Sequence, residues 1–222
     1  MSDSACVELS LSDLAANYLN AILRGRRDEA SRLVISAVES GTSVKTIYRD
    51  VFQPVQREMG RRWQVNEVSV AQEHYCTAAT QLIMGQLYSY FRFAPSNGKR
   101  LVVTCVGGEI HEVGARMVAD IFEMEGWDSY FLGANAPSFS ILSAVAERKA
   151  DLLGISVTIH YNVEAARNLI GEIRQSPDAR NLKILVGGRP FLVAPNLWTT
   201  VGADAFAPDT EQGTVLAVRL VG

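Results

Sequence analysis

The chain has 222 residues, of which 48% are hydrophobic and 20% charged, so it can bury a sizeable core and is too apolar for a disordered chain. A net charge of -3 and a pI of about 5.7 exclude a broad basic surface for nucleic acid. No apolar run is long enough to span a membrane, and "MSDSACVELS" has neither a basic start nor an apolar signal core, so a cytoplasmic protein is expected.

The first half has the period of helices. Residues 11–24 carry Leu11, Leu14, Ala15, Tyr18, Leu19 and Ile22 at helical spacing, with Ser10 or Ser12 as cap and Gly25 as stop. A second helix is predicted over 27–39, with Ala30, Leu33, Val34, Ala37 and Val38 on one face and Gly41 beyond its end. Ser43 caps a third, with Ile47, Val51 and Phe52 inward. Pro54 should kink or restart it before it runs on to about Trp63. A fourth runs from about Ser69 to Phe91, with Ala71, Tyr75, Ala78, Leu82 and Leu87 expected inward. Four helices with short connections imply an antiparallel bundle over residues 1–93. "APSNGKR", 94–100, is a linker of turn formers placed where the period changes.

Residues 101–222 alternate short apolar runs with helical segments. Strands are expected at Leu101–Val106, Asp128–Leu132, Leu152–Val157, Ile184–Val186 and near Ala205–Phe206. Helices are expected over 112–125, 138–148, 163–175, 191–200 and after Asp209. This alternation implies an α/β fold: a doubly wound, parallel five-stranded sheet with helices on both faces. Right-handed crossovers place every loop after a strand at one edge, where ligands of such sheets bind.

That edge collects the unusual residues. Gly107, Gly108, Glu109, His111 and Gly114 follow the first strand, Ser156, Thr158 and His160 the third, and Gly187 and Gly188 the fourth. No GxGxxG, GxxxxGK[ST] or GxSxG occurs, so a dinucleotide fingerprint, a P-loop and a hydrolase elbow are all absent. Cys6, Cys76 and Cys105 are widely spaced, which argues against a disulfide framework or zinc site and for Cys76 and Cys105 as core residues. His111 suits metal ligation, with Glu109 two residues earlier able to accept from its other ring nitrogen. An imidazole exposed to water is the competing reading, and His160 reads as a loop residue.

E-x-H-x-x-G after the first strand, S-x-T after the third and G-G after the fourth together resemble the cobalamin-binding domain of methionine synthase and its relatives, which follows a four-helix bundle. The family's usual acidic residue is Asp; here it is Glu109. The resemblance implies a flavodoxin-like sheet, His111 as lower cobalt ligand and Glu109 as its orienting partner. It also implies that Glu112 and Val113 belong to the binding loop. Gly114, Ser156, Thr158, Gly187 and Gly188 would line a slot for the cofactor's nucleotide tail.

Within the bundle, Trp63 is followed after nine residues by Glu73 and His74. This W-x9-EH pattern resembles the cap of CarH-type light sensors. It implies that Trp63, Glu73 and His74 shape a pocket for adenosylcobalamin, with methylcobalamin the other candidate. The expected protein is then not an enzyme but a photoreceptor, in which cleavage of the cobalt–carbon bond changes conformation or assembly and signals to a protein partner or another copy. Two departures stand out. The bundle begins within about the first ten residues, so no DNA-binding domain precedes it and direct DNA binding is not expected. Gln64 stands where such sensors commonly carry a second cobalt-ligating histidine. The alternative is a corrinoid methyl carrier of a methyltransferase system, which needs an upper face open to partners.

Overall fold

The computed structural model describes residues 10–177, 179–194 and 196–222; Cys6 lies outside the described residues. The chain divides into two compact units, one ending at Phe91 and one spanning Arg92–Gly222.

The first unit is helical. Helix α1 (Leu11–Leu23) starts at Ser10, whose hydroxyl accepts from the Asp13 amide, and α2 (Arg27–Glu39) follows. Gly25 ends α1 at φ +71°, a left-handed conformation that lets the Arg26 amide reach back to the Ala21 carbonyl. Next come α3 (Val44–Ile47), a π-helical stretch (Tyr48–Phe52) and α4 (Gln53–Gln64). The expected kink at Pro54 is resolved differently. Proline has no amide for the Asp50 carbonyl, and the Gln53 amide bonds instead to Tyr48, five residues back, so the widened turn absorbs the lost donor.

Helix α5 (Val70–Leu87) begins with a reciprocal cap between Ser69 and Gln72 and ends in a tight turn at Tyr88–Tyr90. Its buried side is Cys76, Ala79, Thr80, Ile83, Met84 and Leu87. Of the residues expected inward, Leu87 is buried, Tyr75 is half-buried and Ala71, Ala78 and Leu82 are exposed. The reason is that polar and apolar residues are mixed round α5, with Thr80 on its buried side and Leu82 on its exposed side. Its own period therefore does not fix a phase, and the packing of α1 and α4 does. Tyr18, Tyr48 and Phe52 form the centre, with Tyr18 and Phe52 rings 5.3 Å apart.

The second unit holds strands β1 (Arg100–Cys105), β2 (Asp128–Phe131), β3 (Leu152–Ser156), β4 (Lys183–Gly187) and β5 (Ala205–Ala207). All neighbours pair parallel, in the order β2-β1-β3-β4-β5. Helices α6 (Val113–Met124), α7 (Ser138–Arg148), α8 (Val163–Gln175), α9 (Arg189–Val193), α10 (Leu197–Thr200) and α11 (Thr210–Val221) connect and follow the strands. The single helix expected over 191–200 is two short ones; the backbone leaves the helical region at Ala194 (φ -126°, ψ 83°).

Alternation along each strand divides the core in two. Val102, Leu153, Ile155, Ile184 and Val186 pack against Ile141, Val145, Ala166, Leu169 and Ile173 of α7 and α8. Leu101, Val103, Cys105, Leu152 and Leu185 pack against Ala115, Ala119, Phe122 and Ala217 of α6 and α11. Both faces are covered, which is why the strands read as continuous apolar runs. Residues 94–97 are pinned to this unit: the Ala94 and Asn97 amides bond to the Met124 and Gly126 carbonyls, both at 2.9 Å. The chain steps from β1 to β2 on one side and returns to β3 on the other, so a topological switch point lies between the ends of β1 and β3.

Candidate functional site

The site is built at that switch point. After Val106 the chain turns through Gly107 and Gly108, with Gly108 at φ +82°, and carries Glu109 inward. Glu109 is fully buried, yet it has partners on every side. Oε1 accepts from His111 Nδ1 at 2.5 Å and from the His111 amide at 3.1 Å. Oε2 accepts from the Thr158 amide at 2.8 Å, the Ile159 amide at 3.0 Å and Asn162 Nδ2 at 3.0 Å. Burial alone would raise this carboxyl. Hydrogen bonds from His111, the Ile159 amide, Asn162 and the Thr158 amide outweigh it and hold the group down at about 2. At neutral pH Glu109 is an ionised acceptor, so the proton of the Glu109–His111 bond belongs to Nδ1. Nε2 is then the ring nitrogen with a lone pair to offer a metal. The His111 side chain is 38% exposed, so the imidazole straddles interior and surface.

Two asparagines that the sequence did not single out complete the arrangement. Asn162 is buried; besides Glu109 it lies 3.5 Å from the Gly108 carbonyl. Asn135, at φ +51°, accepts from the Gly108 amide with its side chain and donates its own amide to the Glu109 carbonyl, both at 2.8 Å. The loops after β1, β2 and β3 are thus latched together around one carboxylate. Their signal was an Asn in each loop at the carboxyl edge, a residue that tolerates unusual backbone angles and both donates and accepts.

The other predicted residues fall into different roles. Glu112 accepts from the Ala134 amide at 2.9 Å and so anchors the β2 loop, while Val113 is buried at the start of α6. Gly114 is exposed, and a Cβ there would meet nothing within 4 Å. Ser156 ends β3 beside Cys105 and Gly187 in register, and it and Thr158 are half-buried. Gly188 differs: at φ +108° a Cβ would lie 1.9 Å from the Val157 carbonyl oxygen, so its lack of a side chain is a packing requirement between the ends of β3 and β4. Cys105 is a buried thiol near the His111 carbonyl, pushed up to about 12 by burial and by the charges of Glu109 and Glu112. His160 is exposed in the short turn His160–Asn162.

In the first unit, Trp63 lies in the last turn of α4 and is 43% exposed. Glu73 and His74 lie in the first turns of α5, with His74 Nδ1 and Glu73 Oε2 2.7 Å apart.

The donor set fits a corrin. Among the described residues no cluster of three or more His, Cys, Asp or Glu side chains could hold a metal ion unaided. A corrin supplies most of its metal's ligands itself and would need a single donor from the protein, and an imidazole oriented by a buried carboxylate, as in His111 with Glu109, has the chemistry of such a donor. The exposed apolar side chains of Ile110, Ile159 and Tyr161, on the same loops, give the edge an apolar surface suited to a flat macrocycle.

Comparison with known proteins agrees. A family model described as a B12 binding domain matches residues 99–217, and a second model of the same description matches residues 14–88. Dimethylamine corrinoid protein 2 of Methanosarcina acetivorans is 24% identical over 225 residues, covering 96% of this chain and 98% of that protein. Dimethylamine corrinoid protein 3 of the same organism is 25% identical over 117 residues, covering 52% of this chain and only 54% of its own length. The solved Methanosarcina barkeri monomethylamine corrinoid protein superposes with a TM-score of 0.83 at 18% identity, over 95% of this chain and 100% of that one, which shows a shared fold.

The light-sensor expectation is overturned by these findings: relatives matched from end to end are corrinoid proteins named for dimethylamine. The W-x9-EH pattern misled because its members stand at a helix end and in the opening turns of the next helix, where an exposed aromatic and a carboxylate–imidazole pair also arise without any nucleoside to hold. No helix among the described residues is long and apolar enough to cross a membrane. The chain belongs to the B12-binding domain family, with His111 and Glu109 at the topological switch point of its sheet.

Proposed function

We propose that this chain is a corrinoid methyl carrier: it holds a cobalamin-type cofactor and exchanges a methyl group with methyltransferase partners, without being an enzyme on its own. The end-to-end similarity to a dimethylamine corrinoid protein carries this reading. When bound, the cofactor supplies a cobalt centre that accepts and releases the methyl group. The chain's residues do the rest. His111 Nε2 would be the protein donor that holds the cobalt. Glu109 fixes the imidazole in the Nδ1-protonated form, and its four further hydrogen bonds keep the pair from swinging away. Gly114, Ser156, Thr158 and Gly187 line the path of the nucleotide tail, with Glu112 and Val113 shaping its entrance and Gly188 keeping β3 and β4 close enough to form it. Trp63, Glu73 and His74 are the bundle's contribution to cofactor binding, in keeping with the B12-binding model matched there.

The test is spectroscopic and then chemical. Loaded with hydroxocobalamin, the wild-type chain should show an imidazole-ligated cobalt spectrum that His111→Ala lacks; identical spectra would remove His111 from the axial position. Loaded with methylcobalamin and mixed with a corrinoid:thiol methyltransferase and a thiol, the chain should be demethylated faster than free methylcobalamin. No acceleration with any such partner, alongside firm binding, would overturn the carrier reading.

A further inference from the structure

A line of polar side chains runs through the apolar bundle and ends at Glu73. Tyr18 Oη and Thr80 Oγ1 are 2.8 Å apart, both fully buried. Gln56 Nε2 donates to Thr80 Oγ1 at 2.8 Å and approaches Cys76 Sγ at 3.7 Å. The Thr77 hydroxyl faces Gln56 Oε1 at 3.4 Å and Glu73 Oε1 at 3.3 Å. Glu73 Oε2 in turn meets His74 Nδ1 at 2.7 Å. Three helices contribute: Tyr18 from α1, Gln56 from α4 and the remainder from α5. Polar groups inside an apolar bundle lose water and must satisfy one another. The direction of this line follows from its members. Thr77 has one proton and two acceptors, so the orientation of the Gln56 amide decides how fully that proton goes to Glu73. Glu73 can then only accept from His74. The Glu73 side chain is 19% exposed and His74 is 66% exposed, so the line leads from the core to the surface.

We propose that Thr77 is a positioning residue that holds the Glu73–His74 pair with the proton on Nδ1 and the lone pair of Nε2 presented as an acceptor, while Gln56, anchored on Thr80, sets how much of the Thr77 proton reaches Glu73. Resting on the reading that Glu73 and His74 are cofactor contacts, the ligand group is an N–H donor, and the carboxamides at a corrinoid's periphery are of that class. An imidazole without such a partner favours the opposite form in water, with the proton on Nε2. The pair therefore converts a residue that would donate into one that accepts, and Thr77 keeps the carboxylate where this happens.

The experiment is nitrogen NMR of the histidine side chains in the full chain, before cofactor is added. Wild type should show His74 in the single Nδ1–H form with a slowly exchanging proton. Thr77→Val, which fills the same space, should populate the Nε2–H form and speed exchange several-fold, and Thr77→Ser should restore the wild-type signature; Gln56→Leu, which removes the acceptor competing with Glu73 for the Thr77 proton, should keep the Nδ1–H form. Glu73→Gln should abolish it. An unchanged His74 signature in Thr77→Val would overturn the positioning role, whatever Gln56→Leu does to folding. Hydroxocobalamin titration then separates the two layers. His74→Ala and Thr77→Val should each weaken binding several-fold, and Thr77→Ser should not. If Thr77→Val shifts the NMR signature while His74→Ala binds as wild type, positioning stands and the cofactor contact falls.

Discussion

Glu109 shows how much one buried charge can organise. Its carboxylate stays ionised in the interior because four groups besides the imidazole's Nδ1 donate to it: Asn162 and the amides of His111, Thr158 and Ile159. Glu109→Ala strands buried donors from two loops at once, and we expect a loss of about 3 kcal/mol in urea unfolding. Glu109→Gln keeps an acceptor oxygen and should lose less, yet it should release His111 from its single tautomer. A Glu109→Ala chain as stable as wild type would mean that water replaces the carboxylate without cost. The pairing of Glu109 with His111 was legible from spacing because the two stand two residues apart. Asn135 and Asn162 were not legible, because their contacts exist only once three loops from three strands have been brought together. Glycines divide the same way. Gly188→Ala should unfold or severely weaken the second unit, since its Cβ would meet backbone. Gly114→Leu should leave the unfolding midpoint within about 0.5 kcal/mol, since the position is open, while blocking corrinoid uptake if the tail passes there. Uptake at the wild-type level would move the slot elsewhere.

Among the elements, strands were easier to place than helix faces. β1, β3 and β4 are buried on both sides and announce themselves as apolar runs, and the edge they end on follows from parallel connection alone. Helix α5 was located correctly but rotated: Leu82 and Ala78 read as inward and are exposed, while Thr80, Ile83 and Met84, outside the predicted face, are buried, as is Cys76, which was read as a core residue. A helix whose polar and apolar residues are mixed round its circumference takes its phase from its neighbours, information that no single segment contains. The same rotation hid the line from Tyr18 to Glu73, because Thr80 and Gln56 converge only when α5 is turned as observed. The start of α5, by contrast, is local chemistry. Ser69 and Gln72 cap each other, so Ser69→Ala should cost about 1 kcal/mol and fray the turn that carries Glu73 and His74. Urea unfolding measures the first effect, and hydrogen exchange of the Gln72 and Glu73 amides the second. Unchanged exchange there would show that packing, not the cap, holds this turn.

At the scale of the whole molecule, a family of cofactor carriers is distinguished from a generic α/β protein by what the native state gains from its ligand. A group that binds the folded chain and not the unfolded one stabilises it by RT ln(1 + [L]/Kd), about 2.7 kcal/mol at a hundredfold excess over Kd. Hydroxocobalamin should therefore raise the thermal midpoint of this chain in a concentration-dependent way. The gain should shrink in His111→Ala, where the axial donor is missing, and in Gly114→Leu, where the tail is obstructed. It should fall less in Ser69→Ala, which frays the turn carrying Glu73 and His74 but alters no group on the carboxyl edge of the sheet. A corrinoid lacking the nucleotide tail separates the two contributions further. It should lose the sensitivity to Gly114→Leu and keep the sensitivity to His111→Ala. A thermal midpoint indifferent to every corrinoid would remove cofactor carriage from this chain altogether. A midpoint that rises equally in wild type and His111→Ala would leave carriage in place and assign the axial position to something other than the histidine after β1.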